Sequence, residues 1–209
     1  FHAEFQRGSE RRRSGAVYSA PFLTNGNIGD WRNEEPFPLK ISGFAVAETE
    51  TTLYVIGGTD ESSTVLPNVY SISINLDGTL NGWNSQPSLP LAMAFHGAKL
   101  DRGLLVVVGG SSGTGLSKTI MSVGIQEDGN LMEWSIAANS VVNPISRHSL
   151  VFGDGYLLSC GGNLGGTRSD QISVLPLEIR SSLVEHTEII KPLEALNTLS
   201  NSKGIIVNN

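Results

Sequence analysis

Short apolar runs, set between polar stretches rich in glycine, recur along this chain at a nearly constant spacing. Leu53-Tyr54-Val55-Ile56 ends at Gly57-Gly58, Leu105-Val106-Val107-Val108 at Gly109-Gly110, and Leu157-Leu158-Ser159-Cys160 at Gly161-Gly162. Such runs are too short for typical helices, and the second is rich in β-branched residues, which suits a buried strand. A terminal glycine pair permits backbone geometry that a Cβ would hinder. The middle run predicts a whole unit around itself. Ala94 to Leu100 reads as a first strand, Asp101-Arg102-Gly103 as a turn and Leu104 to Val108 as a second strand. The polar stretch Ser111 to Thr119 is a loop, Ile120 to Ile125 a third strand, and Asp128-Gly129 a hairpin signal. Leu131 to Ile136, carrying Trp134, closes the unit as a fourth antiparallel strand.

The same order of elements returns elsewhere. Val17-Tyr18-Ser19, Val69-Tyr70-Ser71 and Ile120-Met121-Ser122 are followed by Asn25-Gly26, Asp77-Gly78 and Asp128-Gly129, then by Trp31, Trp83 and Trp134. The tryptophans are 52 and then 51 residues apart, and the glycine pairs 52 apart both times. A period of that size marks a repeat architecture, in which each unit buries its apolar face only against its neighbours. The expected fold is all-β, with units near 17–41, 42–93, 94–146 and 147–179. Only 42–93 and 94–146 are whole; 147–179 supplies three strands and 17–41 the last two of an earlier unit. Phe1-His2-Ala3 echoes Phe95-His96-Gly97, so 1–16 is expected to hold a degenerate strand of that earlier unit. In the tail, 180–209, Pro192 to Leu199 reads as a short helix and Gly204 to Val207 as a strand, for attachment to a neighbouring subunit or for folding back on the units. At constant phase, Trp31, Trp83 and Trp134 are expected to pack one unit on the next. Gly57, Gly58, Gly109, Gly110, Gly161 and Gly162 are expected to be structural.

Composition narrows the function classes. The formal charge of -6 argues against nucleic-acid binding by bulk charge. No stretch approaches 18 apolar residues, so no membrane span is expected. Arg11-Arg12-Arg13 is short and lies outside the clear repeats, as a solvated terminal segment or a contact for an anionic partner. The one cysteine, Cys160, excludes an internal disulfide and stands where other units have Ile56 and Val108, as a small buried hydrophobe. With no signal peptide and no initial Met, the chain reads as a processed product, a fragment or the ordered part of something longer.

Four-stranded units with Gly-Gly after the second strand and Trp in the fourth resemble kelch repeats of a β-propeller. The carriers are Tyr54-Val55-Ile56-Gly57-Gly58 with Tyr70 and Trp83, then Val108-Gly109-Gly110 with Trp134. Asp77-Gly78-Thr79-Leu80-Asn81-Gly82-Trp83, followed by Ser88-Leu89-Pro90, is similar to a kelch variety of bacterial surface proteins and phage virion proteins. The likeness covers roughly 17–179, and no Trp follows Ile172 in its last unit. It implies about three to four blades in this chain, a partial ring, since closed propellers have about four blades or more. It also implies a setting on a virion or another extracellular surface.

Some kelch propellers are enzymes, and their chemistry depends on particular side chains. A copper-radical oxidase similar to galactose oxidase needs a Tyr cross-linked to a Cys, a second Tyr and two His; the sole Cys here lies in an apolar strand. His96 and His148 open the first strands of their units, at the place Phe44 takes one unit earlier, and in kelch rings the first strand lines the axis. Two His fall short of the three of a typical zinc site without carboxylates, and Phe44 favours an aromatic ring packed beside the axis. Asp77-Gly78 and Asp128-Gly129 lack the oxygen ladder of a calcium loop, and Asn25-Gly26 in the same place favours turn chemistry. No G-x-S-x-G elbow or phosphate loop occurs. No catalytic residue, metal or other cofactor is therefore expected. The loops after Gly-Gly differ strongly from unit to unit, as a binding surface on a constant scaffold would, or as merely solvated loops. Asp60, Glu61, Lys118, Arg147, Arg168 and Asp170 are the candidate contacts there, with His96 and His148 on the axial face. The expected function is a non-catalytic interaction module for adhesion or assembly. Its expected partners are other protein subunits and surface glycans. The alternative is a carbohydrate-binding or carbohydrate-active propeller similar to sialate mutarotases.

Overall fold

Strands that follow one another in the chain lie side by side in four antiparallel sheets. The computed structural model describes residues 13–141, 143–153 and 156–176. The echo at Phe1-His2-Ala3 and the tail 180–209 lie outside them. The first sheet pairs β1 (Tyr18–Ser19) with β2 (Arg32–Asn33). The second runs β3 (Ala45–Glu48), β4 (Thr52–Ile56), β5 (Val69–Ile74), β6 (Leu80–Gln86). The third runs β7 (Gly97–Asp101), β8 (Leu104–Val108), β9 (Thr119–Gly124), β10 (Ser135–Ser140). The fourth holds β11 (Ser149–Gly153), β12 (Tyr156–Cys160) and β13 (Ile172–Pro176). The first strands β3, β7 and β11 neighbour one another, so the sheets fan out from an inner edge. The arrangement is all-β, without a helix among the described residues, is not closed into a barrel, and is consistent with a partial propeller. Among those residues no helix is long and apolar enough to cross a membrane.

Two expected boundaries move. The first strand of the third sheet starts at Gly97 rather than Ala94, because Ala94 bridges Ser111 and Phe95 then turns through a left-handed φ of 55°. The fourth strand starts at Ser135 rather than Leu131. Leu131 instead makes an isolated bridge to Ile125, and the pairing of β10 with β9 is irregular beyond Ile136.

Period-two alternation gives each sheet a rear face toward the preceding sheet and a forward face toward the next. The forward side chains of the second sheet, Ala47, Tyr54, Ile56 and Val69, pack on rear side chains of the third, Leu105, Val107, Met121 and Val123. The third sheet's forward Leu104, Val106, Val108 and Ile120 pack on Leu150, Phe152 and Leu157 of the fourth. The second sheet's rear Leu53, Val55, Tyr70 and Trp83 pack on Val17, Phe37 and Ile41. Polar stitches join the same faces. The fully buried Tyr54 donates its hydroxyl to Gly129 O at 2.7 Å, and Gln86 reaches Ser71 and Asn130 while accepting from Leu131 N.

Trp83 and Trp134 share one arrangement. Each indole is half-buried and donates Nε1–H to a carbonyl of the preceding unit, Glu35 O at 3.2 Å and Pro87 O at 2.8 Å. Phe37 adds an edge-to-face contact to Trp83, with ring centroids 4.8 Å apart. Trp83→Ala is expected to cost about 2–3 kcal/mol, below the ~3–5 of a fully buried Trp because part of this indole is wet. Urea midpoints check this, and a midpoint equal to the parent's would remove Trp83 from the contact between units. Trp31 differs: it is 65 % exposed. Its phase is that of Trp83, but no preceding unit lies against it among the described residues.

Candidate functional site

One repeat position builds the inner edge. Gly43, Phe95 and Arg147 all take left-handed backbone, with φ of 66°, 55° and 56°. Phe95 N–H donates to Gly43 O and Arg147 N–H to Phe95 O, both at 2.7 Å, so successive units are joined through equivalent residues. The side chains continue the column. The Phe95 ring fills the space a Cβ on Gly43 would need, and the Arg147 guanidinium lies 4.3 Å from the Phe95 ring centroid. A cation over an aromatic face contributes roughly 0.5–1 kcal/mol where exposed, and left-handed φ at a bulky residue is uncommon enough to need such support.

His96 and His148 follow directly in the chain, just ahead of β7 and β11, and are 6 % and 8 % exposed. Neither ring nitrogen of either meets a hydrogen-bond partner. Each Cβ lies over the second glycine of its own pair, Gly110 or Gly162, while each ring reaches the first glycine of the preceding pair, Gly57 or Gly109. The glycines leave the room the imidazoles occupy. Burial first, and the charge of His148 second, bring the pKa of His96 from 6.5 to about 4. Burial lowers that of His148 as well. Both rings are therefore neutral near pH 7, wedged between units rather than open to a ligand. Among the described residues no three His, Cys, Asp or Glu group in a way that would hold a metal ion.

The loop candidates share one rim. Ser42 bridges Thr59, which bridges Val65; Ala94, Ser111 and Leu116 repeat this, and so do Ser146, Asn163 and Arg168. Neighbouring loops touch, Val65 beside Gly113 and Leu116 beside Gly165. Asp60 is held locally: its carboxylate accepts from Thr64 N at 2.8 Å, and its carbonyl accepts from Arg13. Arg13 also donates to Ser42 and Thr59, so the last arginine of the basic run ties the N-terminal segment to the rim. Glu61 makes a loose exposed pair with Lys40 at 3.8 Å. Lys118, Arg147, Arg168 and Asp170 are exposed. The shared ladder brings Arg147 and Arg168 to the same end of the fourth sheet, while Asp60 and Glu61 stand on the second sheet's loop. The stacking of Arg147 on Phe95 escapes the reading of single loops; the signal was the column Gly43, Phe95, Arg147 at repeat spacing.

The glycine pairs carry a contact between units. Gly57, Gly109 and Gly161 have φ of 60°, 62° and 65°, and the second glycines 104°, 100° and 106°. Gly58 and Gly110 donate to Met93 O and Ile145 O in the segment entering the next unit, at 2.9 and 2.7 Å. The Asx-Gly turns are closed by their own side chains: Asn25, Asp77 and Asp128 each accept through Oδ1 from the backbone N–H two residues on. The Thr79 hydroxyl and then its N–H hold Asp77 below the usual carboxylate range, and the Asn130 N–H and then its side-chain amide do the same for Asp128. Cys160 is half-buried, because its face of the fourth sheet has no following unit among the described residues.

No family model matches the chain, and no curated protein does. Its fold is shared with 168 chains of solved structures, and a fold that common says little about function. One of them, the structure of YjhT, superposes with a TM-score of 0.56 at 16 % identity, over 72 % of this chain and 47 % of the YjhT chain. This chain thus spans about half of that neighbour's length, and the likeness is one of fold.

Proposed function

We propose that this chain is a non-catalytic interaction module, part of a kelch-type β-propeller whose divergent loop rim contacts other protein subunits or surface glycans. One observation carries the reading: three loops hang on the same ladder of bridges, at Thr59, Ser111 and Asn163, yet present unlike side chains. A rigid repeated base with variable tips is the usual construction of a binding surface. The chemistry near the axis supports a non-catalytic role, since both histidines are sealed in and Arg147 rests on Phe95. A virion or bacterial surface is the setting that fits; it rests on the likeness of Asp77–Trp83 to that repeat variety.

The double variant Lys118→Glu/Arg168→Glu is expected to weaken binding to the partner by at least ~10-fold, with its melting temperature unchanged, since both side chains are exposed. Cross-linking in the native assembly and a glycan array identify the partner. Contacts that avoid 59–65, 111–118 and 163–170 would refute the rim assignment. Turnover of a sugar by the purified chain would replace the module with an enzyme.

A further inference from the structure

Among the described residues every contact between sheets is made the same way, forward face onto rear face, and one face of each kind is left over. On the fourth sheet the register aligns Val151, Leu158 and Val174 across the three strands, with Cys160 and Ile172 beside them. Val151, Ile172 and Val174 are 50 %, 61 % and 53 % exposed. Their counterparts one unit earlier are Lys99, Ile120 and Ser122, beside Val106 and Val108, and the fourth sheet covers that face apart from the exposed Lys99. The uncovered face is thus the more apolar of the two, since a valine replaces Lys99 and another replaces Ser122. At the other end, Tyr18 and Trp31 hold the places of Tyr70 and Trp83, which are rear-face residues packed on a preceding unit. Tyr18 is 49 % exposed.

We propose that two copies of this chain associate head to tail, the Tyr18–Trp31 face of each seated on the Val151–Ile172–Val174 face of the other, and so close one ring. Both faces belong to the same polypeptide, and they are the two kinds that pair inside it. The contact is heterologous, and such contacts close when the rotation between copies permits. Two copies are the fewest that can close a ring through this contact. Trp31 would then meet the neighbouring copy as Trp83 and Trp134 meet the unit before them. This association is separate from the loop rim and stands whether or not the rim binds a partner.

Sedimentation and light scattering on the 209-residue chain are the first readout. A species of twice the 22.3 kDa chain mass is expected. Trp31→Asp and Val174→Asp alter exposed side chains, so both variants should keep the parent's circular dichroism. Each should weaken self-association by at least ~30-fold, the scale of an interface hot spot. The two variants mixed should form a one-to-one dimer, because one copy keeps its forward face and the other its rear face. A two-fold symmetric contact using one patch twice would not be rescued by mixing. A parent that stays monomeric overturns the proposal. So does a monomer with protected β13 amides, which would give the forward face to the chain's own residues 177–209. Larger rings or filaments overturn the two-copy closure, and a dimer indifferent to both substitutions overturns the faces named.

Discussion

Gly109→Ala is expected to cost at least about 3 kcal/mol, and Gly161→Ala, at the same place one unit later, clearly less. Both glycines hold nearly the same left-handed φ, 62° and 65°, so alanine carries a similar strain of roughly 1–3 kcal/mol at either site. What differs is the next unit. A Cβ on Gly109 would stand 2.5 Å from Ile145 O and 3.0 Å from His148 Cε1. A backbone oxygen cannot swing aside, so the segment entering the fourth sheet must shift, and the 2.7 Å bond from Gly110 N–H to Ile145 O suffers with it. A hydrogen bond of that kind contributes about 1 kcal/mol net, and the displaced packing of Ile145 and His148 adds to it. On Gly161 the nearest atom, Ser169 O, is 3.6 Å away, in ordinary contact. Urea unfolding of the two variants separates backbone strain from the contact between units. Equal losses would mean that the glycine pair serves only its own turn.

Period and phase made much of this fold legible. The second strands β4, β8 and β12 fall on the apolar runs, because a buried strand that ends at Gly-Gly leaves a plain trace. Less legible was what depends on neighbouring units. The left-handed backbone at Phe95 and Arg147 contradicts local preference. Only Gly43, at the same phase, signals it. The fourth strand of the third unit slides past Trp134 because Leu131 bridges Ile125 and Met132 lies over Gly124, contacts that span a turn and leave no periodic mark. Trp31 shows the converse. Repeat phase assigns it a buried role that only a preceding unit can supply, and exposure is decided by the neighbour rather than by the residue. The histidines lie between these cases. Their position beside the inner edge follows from phase, with Phe44 as the guide. Their depth, and the loss of every hydrogen-bond partner, come from the glycine pairs of adjacent units closing over them.

Lowering the pH from about 6.5 to 4 is expected to remove about 3 kcal/mol of stability through His96 alone. The pKa of His96 is near 4 in the folded chain, against 6.5 when exposed. A depressed folded value means that the unfolded chain takes up the proton first. The contribution is therefore complete above pH 6.5, declines as the unfolded imidazole titrates, and is gone near pH 4. Two and a half units at about 1.36 kcal/mol each set the size. His148 acts in the same direction. The described carboxylates whose values are shifted lose their contribution at lower pH. Glu34 lies below 4.5, chiefly through its hydrogen bond from Ser19, and Asp77 and Asp128 lie below 3.8. His96→Phe tests the assignment with a ring the fold already accepts, since Phe44 occupies the equivalent place one unit earlier. The variant should stay within about 1–3 kcal/mol of the parent at pH 7, since Phe enlarges the ring but removes two unpartnered nitrogens, and neither effect varies with pH. Its denaturant midpoint should then fall less than the parent's between pH 6.5 and 4.5, the remaining loss coming from His148. If parent and variant lost stability along the same curve, the buried imidazole of His96 would not be the source of the acid sensitivity.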